Sequence, residues 1–126
     1  MSRAVIATEG APKAVGHYVQ AIKINDTLYT SGVIGADPAT GKAPEGIKEQ
    51  TQNVMRSIGN ILAEAGFTKE EVVKCTCYID DMDKFQEFNN EYKAFFGEHK
   101  PCRACVQCGM VPPFHVEIDC IAVHSH

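Results

Sequence analysis

The sequence predicts a single α+β domain, in which one mixed β-sheet of about six strands carries two helices on one face. Two amphipathic helical segments lie between short runs of strand-forming residues, in the order β-β-β-α-β-α-β-β. Helices that are apolar on one side can cover only one sheet face, so the other face is expected to stay bare. A chain of 126 residues can bury a core without dividing, and residues 1–126 are expected to form one domain.

The N-terminal third predicts three strands and a loop. The first strand covers residues 4–6, and residues 18–24 and 27–32 form a hairpin around a two-residue Asn-Asp turn. Residues 35–41 are rich in turn formers and predict a loop.

Two later segments predict helices. Apolar side chains follow the helical period over residues 47–65, and Gly66 is suited to end that helix in the left-handed conformation. Residues 82–96 carry an aromatic stripe, which is typical of a helix side that faces a core. Residues 72–79, rich in β-branched side chains, predict a strand between the two helices.

The stretch at residues 101–123, PCRACVQCGMVPPFHVEIDCIAV, predicts two strands joined by a Pro-Pro turn. Alternation places Arg103 and Cys105 on one side of the first strand and Glu117 in the polar row of the second. We expect these three side chains to share the bare sheet face with Tyr18. A small domain with a partly apolar bare face is expected to bury it against copies of itself, so a site there would lie between subunits.

Six cysteines suggest either free thiols or a metal site. Cys102, Cys105 and Cys108 have the spacing C-x-x-C-x-x-C, but on a strand Cys105 points away from the other two, so no metal site is predicted. Cys75 and Cys77 lie on one side of a predicted strand and are interpreted as packing residues.

Composition limits the function classes. The net charge of −4 argues against a protein that binds nucleic acid along its phosphates. No apolar run is long enough to cross a bilayer, so no membrane association is expected. The N-terminus MSRAVIATEG lacks a hydrophobic signal segment, which predicts a cytoplasmic protein, although its arginine leaves an organelle open.

Several motifs resemble one known family. P-C-R-A-C-V-Q followed by H-V-E-I-D-C-I-A resembles the signature of the Rid (reactive intermediate deaminase, YjgF-type, L-PSP endoribonuclease-like) family, usually P-A-R-[SA]-x-V and then I-E-I-E-A-I-A. Matches also occur, in the family's order, at A-P-K-A-V-G-H-Y-V-Q, L-Y-T-S-G-V-I-G, V-V-K-C-T-C-Y-I and F-x-x-F-N-x-x-Y-x-x-F-F. The resemblance is closest to the archetypal subgroup that hydrolyses 2-imino acids.

The resemblance implies a chorismate-mutase-like fold and a homotrimer with active sites in the clefts between subunits. It implies hydrolysis of 2-iminobutanoate and 2-iminopropanoate, the enamine/imine products of pyridoxal-phosphate dehydratases, to 2-oxo acids and ammonia. The partners would be small 2-imino and 2-oxo carboxylic acids, and no metal or organic cofactor is implied.

By position in the motifs, the resemblance implies a substrate-carboxylate arginine at Arg103 and a water-positioning acid at Glu117. The further substrate-binding positions it implies are Tyr18, Ser31, Gly32, Asn89 and Cys105. A guanidinium fork suits a carboxylate, and a carboxylate can hold and deprotonate a water. From the residues alone, a surface ion pair for Arg103 and a solvated edge-strand glutamate at Glu117 remain open.

Further alternatives concern individual side chains. Arg103 beside Glu117 is expected to lower the pKa of that carboxylate. Cys105 is interpreted as a pocket wall rather than a nucleophile, because no histidine is close in sequence to act as its base. His124 and His126 are expected to form an exposed tail without a role.

Other function classes remain open at this point. One is RNA cleavage with translation inhibition, against which the acidic charge argues. Another is a non-enzymatic module that binds a small carboxylic acid.

Overall fold

The computed structural model describes residues 3–125, in which seven strands and two α-helices follow the predicted order, with one short strand added. The strands are β1 (Arg3–Ile6), β2 (Ala21–Ile24), β3 (Thr27–Thr30), β4 (Val33–Ile34), β5 (Val72–Ile79), β6 (Cys102–Gln107) and β7 (Val116–Val123), and the helices are α1 (Ile47–Ala65) and α2 (Phe85–Phe96). The predicted bounds of α1 and β5 are confirmed. Neither helix is long and apolar enough to cross a membrane.

The sheet has the strand order β1-β2-β3-β7-β5-β6, and β4 pairs with β7 beside β3. Among the strand pairs formed by residues 3–125, only the β5–β6 pair is parallel. The last two strands are therefore not neighbours, because β5 lies between them. The connecting segment, which contains a cis Pro112–Pro113 peptide, passes around the end of β5 and bonds to it through Ile79 and Asp80.

Both helices pack on one face of the sheet, as predicted. β7 alternates buried and half-buried residues along its length, and its buried row, Val116, Ile118, Cys120 and Ala122, faces the helices. Cys75 and Cys77 are fully buried in the same core, which confirms that they are packing residues. The aromatic stripe of α2 contributes the buried side chains Phe88, Tyr92 and Phe96.

The opposite side, here called the bare face, has no helix over it in residues 3–125. Apolar residues of neighbouring strands meet there: Ile22 pairs with Tyr29, and Tyr29 pairs with Ile121. Tyr29 is 48% exposed, and Val5 and Val106 on the same face are 59% and 44% exposed. An apolar surface of this kind is a feature of faces that bind another chain.

Two predicted strands are shorter than expected. The strand predicted at residues 18–24 begins only at Ala21; the side chain of the preceding Gln20 bonds to the N-terminal loop, while its backbone carbonyl accepts a hydrogen bond from the Ser31 amide. The strand predicted at residues 27–32 ends at Thr30, whose hydroxyl accepts a hydrogen bond from the Cys120 amide at 2.9 Å. The chain leaves the sheet at Gly32 and returns as β4.

The expectation that His124 belongs to an exposed tail is wrong. Its ring stacks on Phe67 with centroids 3.9 Å apart, and its Nδ1 lies 2.8 Å from Oε2 of Glu71. The other oxygen of Glu71 accepts a hydrogen bond from the Thr68 amide and completes a capping box. This contact attaches the end of β7 to the turn before β5, whereas His126 lies outside the described residues.

Replacing His124 with alanine is expected to lower the melting temperature by about 3–6 °C at pH 7, because the ring stack and the bond to Glu71 are lost. His124 and the Thr68 amide lower the pKa of Glu71. A carboxyl group with a lowered pKa stabilises the fold at pH values above its ordinary pKa of 4.5. That stabilisation is lost as the pH falls through the lowered pKa.

The difference in melting temperature between wild type and His124→Ala should therefore shrink between pH 7 and pH 3, as followed by circular dichroism. The exposed His17 offers a control substitution, His17→Ala. An equal difference at both pH values would contradict the role of Glu71.

Candidate functional site

The predicted site residues divide into two groups on opposite sides of the sheet. Arg103 pairs with the buried Cys75, and Cys105 packs against the core, so both side chains face the helices. Glu117 pairs with Tyr78 and lies on the bare face. The prediction that all three share the bare face is wrong for Arg103 and Cys105, because the register with β5 orients β6 the other way.

The same strand register gives the distance between Arg103 and Glu117 within one chain. Arg103 aligns with Cys75 on β5, whereas Glu117 aligns with Tyr78, three residues further along. Two strand spacings and three residue steps place the two Cα atoms about 14 Å apart. One small substrate therefore cannot contact both side chains of the same chain.

The first group, the arginine site, consists of Arg103, Cys105, Asn89, Phe85 and Tyr92. Nη1 of Arg103 donates a hydrogen bond to Oδ1 of Asn89 at 2.7 Å. The guanidinium carbon lies 4.8 Å from the centroid of the Tyr92 ring and 5.6 Å from that of Phe85. The spacing of the three α2 residues puts them on one side of the helix, where they fix the guanidinium and leave its other N–H groups able to bind an anion.

Cys105 of the arginine site carries a protonated thiol. Burial raises its pKa, although the charge of Arg103 acts in the opposite direction. A protonated thiol is a poor nucleophile, and this supports the interpretation of Cys105 as a wall of the site.

The second group, the glutamate site, consists of Glu117, Gly32, Ser31 and Tyr18. All four line one cavity of about 570 Å³ between the N-terminal loop, the β3–β4 connection and β7. The structure thus brings together four of the residues that the sequence predicted, and leaves Arg103, Asn89 and Cys105 in the other group.

Gly32 and Ser31 shape the glutamate site in different ways. A Cβ atom at Gly32 would overlap the carboxylate of Glu117, so only glycine allows the carboxylate to lie against this backbone. The hydroxyl of Ser31 donates to the carbonyl of Val19, and its amide donates to that of Gln20 at 2.9 Å. Ser31 therefore holds the segment that presents Tyr18.

Gln20, which sequence reasoning missed, organises the wall of the cavity. Its amide nitrogen donates to the carbonyls of Thr8, Ala11 and Pro12, and its oxygen accepts from the Thr8 amide at 2.8 Å. The only sequence signal was a long polar side chain among the apolar residues of Y-V-Q-A-I-K-I.

The electrostatics of Glu117 differ from the expectation. Burial raises its pKa, and the charge of Asp119 adds to the effect. The lowering expected from Arg103 is therefore wrong for a single chain, since that guanidinium lies on the other side of the sheet. Asp119, two residues further along the bare face, accepts a hydrogen bond from the Tyr78 hydroxyl at 3.3 Å.

Comparison with known sequences identifies similar proteins along nearly the whole chain. The model of the family described as endoribonuclease L-PSP matches residues 8–124. A RutC family protein of Pyrococcus abyssi is 43% identical over 97% of this chain and 98% of its own length. The 2-iminobutanoate/2-iminopropanoate deaminase of Mus musculus is 40% identical over 98% of this chain and 93% of its own length.

Solved structures agree over a similar extent. A putative endoribonuclease from Thermotoga maritima superposes with a TM-score of 0.93 at 38% identity, covering 98% of both chains. TdcF of Escherichia coli with bound serine gives a TM-score of 0.92 at 36% identity, covering 97% of this chain and 99% of its own. The predicted chorismate-mutase-like fold is thereby confirmed.

Replacing Asp119 with asparagine is expected to lower the pKa of Glu117. The negative charge of Asp119 disfavours the ionised form of Glu117, so its removal favours that form. The measurement is a pH titration of the Glu117 carboxyl carbon by 13C NMR. Glu64→Gln removes the same charge from the exposed side of α1 and should leave the titration unchanged; an unchanged titration in Asp119→Asn would contradict the proposed coupling.

Proposed function

Because the chain belongs to the endoribonuclease L-PSP family, which includes proteins named as reactive intermediate deaminases, we propose that it hydrolyses 2-imino acids and their enamine tautomers to 2-oxo acids and ammonia. The proposed substrates are 2-iminobutanoate and 2-iminopropanoate. The observation that carries the proposal is that the chain has two separate polar sites, one suited to a carboxylate and the other to a water.

The two sites meet in a homotrimer in this proposal. The bare face is partly apolar, and β6 is an edge strand with one side free of strand pairing in residues 3–125. Both features favour association with further copies of the chain. The arginine site of one subunit then adjoins the glutamate site of the next, and each cleft between subunits holds one active site.

Arg103 binds the carboxylate of the imino acid. Its planar fork offers parallel N–H groups to both carboxylate oxygens, a geometry that a lysine cannot reproduce. Asn89 and the two aromatic rings of α2 fix the direction of the fork before the substrate arrives. Little side-chain freedom is then lost on binding.

Glu117 activates the water. Its raised pKa makes it a stronger base than an exposed glutamate, and its carboxylate lies in a cavity large enough for a small imino acid. The water oxygen attacks the C=N carbon while its proton passes to Glu117. Glu117 passes that proton on to the nitrogen as the C=N bond becomes a C–N single bond, and a neutral carbinolamine forms.

The same carboxyl completes the reaction. Glu117 takes the proton of the carbinolamine hydroxyl and delivers it to the amino nitrogen, so the C–N bond breaks, ammonia leaves, and the oxygen becomes the carbonyl of the 2-oxo acid. One water is consumed for each ammonia released, and Glu117 ends in its starting ionisation state. No step requires a metal or an organic cofactor.

RNA cleavage is the second candidate, because the family description and the Thermotoga protein carry the word endoribonuclease. The net charge of −4 argues against it in this chain. Loss of RNA cleavage by purified protein on Arg103→Ala substitution would support this candidate.

The first prediction here concerns activity. Added protein should accelerate the formation of 2-oxobutanoate and ammonia in a threonine dehydratase reaction, and Arg103→Ala should reduce kcat/KM about 100-fold, because the carboxylate loses its partner. Arg103→Lys keeps the charge but not the planar fork, so its kcat/KM should lie between those of wild type and Arg103→Ala. Glu117→Gln should lower kcat about 100-fold or more.

No acceleration by the wild-type protein would disprove the deaminase proposal. Equal activity of Arg103→Ala would remove Arg103 from the mechanism. Binding of a 2-oxo acid without turnover would instead indicate a module that senses small carboxylic acids.

A second prediction concerns the shared site. Arg103→Ala and Glu117→Gln subunits are each expected to be inactive alone, but a mixed trimer contains one cleft with an intact Arg103 and an intact Glu117. Equal mixing makes three quarters of the trimers mixed, with one of three clefts restored, so about one quarter of wild-type activity should return.

The measurement is activity after the two variants are denatured together and refolded, with light scattering to determine subunit number. Each variant refolded alone is the control. If the mixture stays inactive although mixed trimers form, the site does not lie between subunits.

A further inference from the structure

One buried amide on α1 is bonded to the backbone that surrounds Glu117. Gln50 is fully buried, and its oxygen accepts a hydrogen bond from the His115 amide at 2.8 Å. Its nitrogen donates to the carbonyl of Pro113 at 3.1 Å and to that of Pro44 at 2.7 Å. A single side chain therefore satisfies three backbone groups from two separate loops.

Both loops end beside the glutamate site. His115 lies two residues before Glu117, and the intervening Val116 is the first residue of β7. Phe114, between the two backbone groups that Gln50 binds on this loop, lines the same cavity as Glu117. The position at which β7 begins is thus fixed by Gln50.

The second loop approaches Glu117 from the other side. Ile34 of β4 pairs with Glu117, and Gly35 follows it. A Cβ atom at Gly35 would overlap both the side chain and the backbone of Gln50, so the chain passes directly over this residue. Asn53, one turn further along α1, adds a bond to the carbonyl of Gly35 at 3.2 Å.

We propose that Gln50 is a positioning residue that holds Glu117 at the distance and angle from which it activates the water. This inference rests on the proposed function. Gln50 does not line the cavity and so does not touch the substrate; it acts through the start of β7 and through β4. Displacement of a catalytic group by about 1 Å can cost about 100-fold in rate, which is why a residue outside the cavity can control the reaction.

If Gln50 only stabilised the fold, its substitution would have a different effect on the kinetics. A residue that only stabilises the fold changes the fraction of folded protein, whereas the folded molecules keep their kcat. A positioning residue changes kcat in fully folded protein, leaves substrate binding at Arg103 intact, and loses its effect once Glu117 is already disabled.

The test is Gln50→Met, which preserves length but removes the three hydrogen bonds. The matched control is Gln52→Met, the same substitution on the exposed side of α1. We expect kcat to fall about 10- to 100-fold with KM changed less than about threefold. Adding Gln50→Met to Glu117→Gln should lower kcat by less than about threefold further.

A readout that does not need activity accompanies the kinetics. The 13C NMR titration of Glu117 is compared between wild type, Gln50→Met and Gln52→Met, with every charged or titratable neighbour left in place. These neighbours are Asp119 and Tyr78 on the bare face and Lys13, Asp37 and Tyr18 around the cavity. Displacement of the carboxylate should shift the titration in Gln50→Met and not in Gln52→Met.

The outcomes separate this inference from the proposed function. Inactive wild-type protein would overturn the deaminase proposal, while the titration would still test Gln50. An unchanged titration and kcat in folded Gln50→Met, or a full additional loss of kcat in the double variant, would overturn the inference.

If Gln50→Met does not fold, Gln50→Asn keeps the amide but is one methylene shorter, so it cannot reach all three backbone groups. Its kcat should fall by more than that of His124→Ala, which loosens the other end of β7 without touching these loops. Wild-type kcat in folded Gln50→Asn would overturn the inference.

Discussion

The register of β5 between β6 and β7 is the constraint on which the site depends. Cys75 aligns with Arg103 on one side and with Cys120 on the other, and the buried rows of β5 and β7 face the helices together with the half-buried Cys105 of β6. A slip of one residue on β7 would bring Glu117 into the core and expose Ile118. Burial of the apolar row therefore fixes the positions of the polar groups, although those groups add little to the core themselves.

Local sequence patterns predicted the elements well, and long-range contacts caused the errors. The bounds of α1 follow from its apolar period and from Gly66, whose φ of 83° closes the helix. The side on which Arg103 lies could not be predicted, since alternation shows which residues share a side but not which side is covered. His124 was misjudged because Phe67 and Glu71, its partners, are more than 50 residues away in sequence.

The site could be predicted only as a set of residues. The motifs selected Tyr18, Ser31, Gly32 and Glu117, which line one cavity, but Gln20 and Gln50 act through backbone groups that no motif identifies. Six cysteines were the most conspicuous feature of the sequence, yet burial raises the pKa of Cys75 to about 11 and that of Cys120 to about 12. Such thiols stay protonated at neutral pH and pack as small apolar groups.

The division of Arg103 and Glu117 between two sheet faces has a chemical advantage for the proposed reaction. On one face of one chain they would form an ion pair, which would lower the pKa of Glu117 and occupy the arginine before any substrate arrived. Apart, each keeps its own environment: Asn89 and aromatic rings hold Arg103, while burial keeps Glu117 basic. When the proposed trimer brings them into one cleft, the substrate carboxylate lies against Arg103 and neutralises it, so Glu117 remains a base at the moment when the imine carbon is attacked.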